Sequence, residues 1–94
     1  ILDRYWHGAA RRISPEAPVP VVQVEAVEER VGGAANVAAN AAALAARVVL
    51  VGIVGADAAG ERLAALCRAA AVEPAFAIGA DHETVVKLRV VSHN

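Results

Sequence analysis

The spacing of apolar positions changes along the chain, and each change predicts an element. Between Val19 and Val27 apolar and polar residues partly alternate. Val22, Val24 and Ala26 fall on one side and Gln23 and Glu25 on the other, which predicts a strand. Pro18 and Pro20 flank its start, so an edge position is expected. Upstream, residues 3–17 are mixed, and Gly8, Pro15 and Pro18 argue against a helix or a central strand there. After Gly32-Gly33 the run AANVAANAAALAAR predicts a helix that ends near Ala46 or Arg47. Val48–Val54 is a continuous β-branched run, the pattern of a strand buried on both faces.

A turn at Gly55–Gly60 leads into a second helix over 61–71, with Leu63, Leu66, Cys67 and Ala70 on one side and Pro74 as its stop. A short strand over 75–78 and another over 84–92 complete the pattern. Strands alternating with helices of about a dozen residues predict an α/β fold with largely parallel pairing and no internal domain boundary.

Composition qualifies this picture. The hydrophobic fraction is 57%, yet 24 residues are Ala and 16 are Val, so few side chains can bury much area. A chain of 94 residues built this way is expected to be marginal on its own. It opens at Ile1-Leu2 without an initiator Met and closes in Val90-Val91-Ser92-His93-Asn94 without a stop signal, which reads as a fragment with a strand cut at each end and a first strand that precedes Ile1. The net charge of −1, with both signs interspersed, argues against a nucleic-acid partner. No apolar run reaches the roughly 20 residues of a membrane span, and no signal pattern opens the chain. The single Cys67 fits a reducing compartment, so a cytoplasmic location is expected.

Two segments carry candidate chemistry. In Gly32-Gly33-Ala34-Ala35-Asn36, two glycines at a helix start allow close approach of a ligand to outward-pointing N–H groups. Asn36 lies in the first turn and Asn40 on the same face one turn later; a solvated loop-to-helix turn explains the segment equally well. In Gly52–Gly60 the glycine spacing matches neither the dinucleotide fingerprint nor a Walker loop, so Asp57 is read as a turn or helix-cap residue. His7, His82 and His93 lack metal-ligand spacing, Cys67 reads as a small core residue, and Tyr5 and Trp6 read as packing.

Together, VGGAANVAANAAAL and VGIVGADAAG resemble the first signature of the ribokinase-like (PfkB) carbohydrate kinase family. The stretches LDRYW, RISPEAPVP and KLRVVSHN are similar to its heptose-7-phosphate kinase branch. The resemblance implies the N-terminal part of a mostly parallel sheet flanked by helices, with a small β lid over residues 12–31 that also supports a homodimer. It implies that the parent enzyme uses ATP and Mg2+ to phosphorylate the anomeric hydroxyl of D-glycero-D-manno-heptose 7-phosphate, for lipopolysaccharide core synthesis. It places Asp3, Gly32, Gly33 and Asn36 on the sugar hydroxyls, and Arg12, Lys87 and Arg89 as candidates for the substrate phosphate. The catalytic Asp and the ATP pocket are expected beyond residue 94, so the chain alone is expected to bind neither cofactor nor metal and to be inactive. Ala45 departs from the pattern, standing where the family usually has Gly; a left-handed backbone there would cost roughly 1 kcal/mol. Two rivals remain: another sugar kinase of the family acting on a neutral sugar, and a non-catalytic sugar-phosphate-binding or dimerisation module.

Overall fold

The computed structural model describes residues 1–93, in the order β1 (Leu2–Ile13), β2 (Pro20–Val31), α1 (Ala34–Ala43), β3 (Val48–Gly55), α2 (Ala58–Ala69), β4 (Val72–Gly79) and β5 (Val86–His93). The strands form two sheets. One has the order β2-β1-β5, with β1 antiparallel to β2 and parallel to β5; the other pairs β3 and β4 in parallel. The α/β class is thus as expected, and β2 is an edge strand as its prolines require.

The largest departure lies in residues 2–13, which form the central strand of the three-stranded sheet despite Gly8. A Cβ at Gly8 would fall on the Gln23 carbonyl, so the glycine permits close strand approach where the register shifts between His7 and Gly8. That shift also corrects the expected faces of β2. His7 pairs with Ala26 and Gly8 with Val24, which leaves Glu25 as the extra residue and turns Ala26 away from Val22 and Val24. The hairpin of β1 and β2 thus runs from Leu2 to Val31.

Both helices end through left-handed alanines. Ala45 has φ 66°, and the Ala46 and Ala45 N–H groups donate to Ala41 O and Ala42 O, closing α1 a few residues earlier than its composition implies. Ala71, with φ 61°, ends α2 before Pro74, which instead lies inside β4 opposite Leu50.

The core is small. Ala35 and Ala38 of α1, Leu63 and Cys67 of α2, Val54 of β3 and Val72 of β4 bury together, with Val48, Leu50 and Phe76 packed against them. Burial raises the Cys67 thiol pKa, as befits a core residue. The expectation that Val48–Val54 is buried on both faces is corrected. Val49, Val51 and Ile53 are 51%, 77% and 57% exposed, because no element among the described residues covers that face. The radius of gyration is 16.4 Å, against the roughly 12–13 Å of a compact domain this long.

Candidate functional site

The register of the three-stranded sheet sorts its side chains onto two faces. Asp3, Tyr5 and His7 of β1 share one face with Arg30, Glu28 and Ala26 of β2 and Lys87, Arg89 and Val91 of β5. The other face is mainly apolar, carrying Trp6, Val27, Leu88 and Val90, with Arg4 and Glu29 where α2 meets it. There Glu29 accepts from Arg4 at 3.0 Å and from Arg62 of α2 at 3.2 Å.

Asp3 lies at the base of the polar face, beside the turn from β2 into α1. Gly32 makes room for it: a Cβ there would sit 2.5 Å from Asp3 Oδ1 and 2.8 Å from Oδ2. Gly33 has φ 58°, a backbone that other residues adopt only with strain, and starts α1 with no side-chain cap. In that first turn the Ala35 N–H donates to Gly32 O at 3.2 Å, so the backbone rather than a capping side chain closes the start of the helix. Asp3 Oδ1 is buried and has no hydrogen-bond partner among the described residues. Lys87 Nζ stands 3.7 Å away, an ion-pair distance but too long for a hydrogen bond. A buried carboxylate oxygen left without a donor is destabilising unless something supplies one. A ligand hydroxyl can supply it.

The strands bring together Asp3, Gly32, Gly33 and Lys87, with Arg89 two residues further along the same face. Asn36 is exposed on the first turn of α1, and its N–H donates to Gly33 O at 3.0 Å. Arg12 stands elsewhere. It is exposed near the far end of β1, nine residues from Asp3, which is roughly 30 Å of strand.

The pairing of Tyr5 with two arginines on this face escapes sequence reasoning. Tyr5 is flanked by the Arg30 and Arg89 guanidinium groups at 5.1 and 5.5 Å from its ring centre, within cation–π range. Arg30 is also paired with Glu28. The period-two step from Asp3 to Tyr5 was the available signal for Tyr5, whereas nothing short of the register reveals the Arg30–Tyr5–Arg89 stack. The scattered His7 and His93 likewise come together, with Nδ1 and Nε2 3.3 Å apart and their rings stacked. Trp6 faces the opposite way.

A second polar cluster lies at the end of β3. Asp57 caps α2 by accepting the Gly60 N–H at 2.8 Å, as its sequence position implies, and it also binds Thr84. The Thr84 hydroxyl, then the N–H groups of Thr84 and Gly60, hold the Asp57 carboxyl below its ordinary pKa.

A parallel α/β layer joined to a small sheet is the fold of the ribokinase-like carbohydrate kinases. The chain superposes on a carbohydrate kinase from Agrobacterium tumefaciens with a TM-score of 0.76 and 26% identity, covering 95% of this chain and 28% of that one. It also superposes on a putative ribokinase from the same organism with a TM-score of 0.67, at 20% identity, over 98% of this chain and 29% of that one. The profile of the pfkB family carbohydrate kinases matches residues 4–94, and the chain belongs to that family. It is 57% identical over all 94 residues to the bifunctional protein HldE of Aeromonas hydrophila and of Pseudomonas aeruginosa, and 58% identical to that of Pseudomonas fluorescens. The chain spans about a fifth of the length of these relatives, 20% in each case.

Proposed function

We propose that this chain is the acceptor-binding part of an ATP-dependent sugar kinase whose substrate is D-glycero-D-manno-heptose 7-phosphate. The carrying observation is Asp3 Oδ1, buried without a hydrogen-bond donor beside Gly32 and an uncapped helix start. Asp3 accepts hydrogen bonds from sugar hydroxyls, while the α1 N-terminus and Asn36 bind and orient the ring from the other side. The Lys87 ammonium and the Arg89 guanidinium, on the same face, suit the substrate's own phosphate. Arg12 joins them only if lid movement or a second copy shortens its distance. The resemblance of LDRYW, RISPEAPVP and KLRVVSHN to the heptose-7-phosphate kinase branch favours the heptose over a neutral sugar.

ATP with Mg2+ supplies the phosphoryl group in the whole protein. Both cofactors are assigned to the part of the whole protein that these residues do not span. The contribution here is positioning of the acceptor and exclusion of water beneath the sheet. The apolar face of that sheet, where Val27 and Val90 are 58% and 51% exposed, suits a homodimer through the lid strands. No helix is long and apolar enough to cross a membrane among the described residues, and a cytoplasmic enzyme of lipopolysaccharide core synthesis is the setting we propose.

A steady-state assay of the whole protein tests this reading with heptose 7-phosphate, ribose and fructose 6-phosphate as acceptors. The expected result is a kcat/KM at least 100-fold higher for the heptose phosphate. Equal values for all three would return the substrate to the wider sugar kinase family.

A further inference from the structure

Thr84 is the buried polar residue of the described chain, 8% exposed, and every polar atom it offers to the Asp57 turn is used. Its hydroxyl donates to Asp57 Oδ1 at 2.6 Å and accepts from the Gly55 N–H at 3.0 Å. Its own N–H donates to Asp57 Oδ2 at 3.0 Å. Capping α2 requires only the bond from Gly60 to Asp57. The three bonds to Thr84 therefore exceed what the helix needs. The glycines on either side leave room for the backbone and for these bonds: a Cβ at Gly60 would lie 2.7 Å from Gly55 O and 2.9 Å from Thr84 Oγ1, and one at Gly55 would fall on the His82 carbonyl, 2.7 Å from Asp57 Oδ2.

The cluster fixes the segment that begins at Thr84. The Val85 carbonyl accepts the Leu2 N–H at 3.0 Å, Val86 pairs with Leu2, and Lys87 pairs with Asp3. Three residues thus lead from a joint anchored at the end of β3 to the cation beside the orphaned carboxylate. We infer that Thr84, held by Asp57, is a positioning residue for acceptor binding: it fixes the start of β5 and so keeps Lys87 opposite Asp3. The inference rests on the reading that Asp3 and Lys87 hold the acceptor.

The test compares Thr84→Val, which keeps the shape and loses the hydroxyl, with Thr84→Ser, which keeps the hydroxyl, in the whole protein. Thr84→Val is expected to raise the acceptor KM at least tenfold with the ATP KM within twofold, and Thr84→Ser to restore the acceptor KM to within threefold. Combined with Lys87→Gln, Thr84→Val should add less than twofold, because both act through Lys87. A lower Tm with an unchanged acceptor KM, an equal rise in both KM values, or full additivity with Lys87→Gln would overturn it. If the wild-type protein phosphorylates none of the sugars, the acceptor reading fails, and amide hydrogen exchange judges the joint by itself. Faster exchange over residues 86–88 in Thr84→Val, with the β1–β2 pairs unchanged, supports the positioning role; equal exchange overturns it.

Discussion

A left-handed backbone at Ala45 and Ala71 puts each methyl group against the following carbonyl, a clash that glycine lacks. The strain is about 1–2 kcal/mol per residue, and glycine's larger unfolded-state entropy offsets part of any gain from removing it. Ala45→Gly and Ala71→Gly should each stabilise the fold by up to about 1 kcal/mol, read as a higher denaturation midpoint at unchanged slope. At Gly32 the same methyl group acts in the opposite direction. Its Cβ would stand 2.5 Å from Asp3 Oδ1, so Gly32→Ala should displace the carboxylate and weaken acceptor binding at least tenfold by calorimetry. Both glycine requirements were legible in the sequence: the Gly32-Gly33 pair directly, and Ala45 as a departure from the family pattern. Ala71 was not, because a left-handed alanine has no signature of its own.

Elements are set by neighbours as much as by their own residues. The strand over residues 2–13 was hidden because Gly8 and the mixed polar pattern read as breaks, whereas pairing on both sides carries the backbone through. The bulge at Glu25 then reverses the facing of Ala26, a one-residue shift that no period count detects. The Asp57 cap was legible; its second partner, Thr84, comes from 27 residues downstream and was not. Because hydrogen bonds depress the folded pKa of Asp57, its stabilising contribution is full above the ordinary carboxylate value of 3.8 and is lost as pH falls through the folded value. Thermal unfolding from pH 2 to 7 should therefore show Asp57→Asn destabilised at neutral pH, with the difference from wild type shrinking below about pH 4. A constant difference across that range would remove Asp57 from the acid response.

At the scale of the whole molecule, the Val-rich, Ala-rich composition foretold a thin core, and the structure agrees. Six residues form its buried cluster while Val51 and Ile78 stand 77% and 68% exposed on the two-stranded sheet. Left alone in solution, the 94-residue chain should bind the dye ANS strongly and melt over a broad range, whereas the whole protein should do neither. The candidate site was partly legible at this scale. Asp3, Gly32, Gly33 and Lys87 meet because β1 is flanked by β2 and β5, a juxtaposition that the family pattern implied and the register makes explicit. Arg12 falls outside it because strand pairing carries it to the far end of the hairpin.

The proposed function rests above all on Asp3 accepting hydrogen bonds from sugar hydroxyls. Calorimetric titration of the whole protein and its Asp3→Asn variant with heptose 7-phosphate tests that role directly. Asn keeps the size and loses the charge, so the hydrogen bonds to a carboxylate, about 1.5–3 kcal/mol, are what the comparison reads. Binding at least tenfold weaker in the variant, with ATP binding unchanged, is the expected result. Equal affinity for the heptose phosphate in both proteins would contradict it, and the sugar would then have to be held elsewhere.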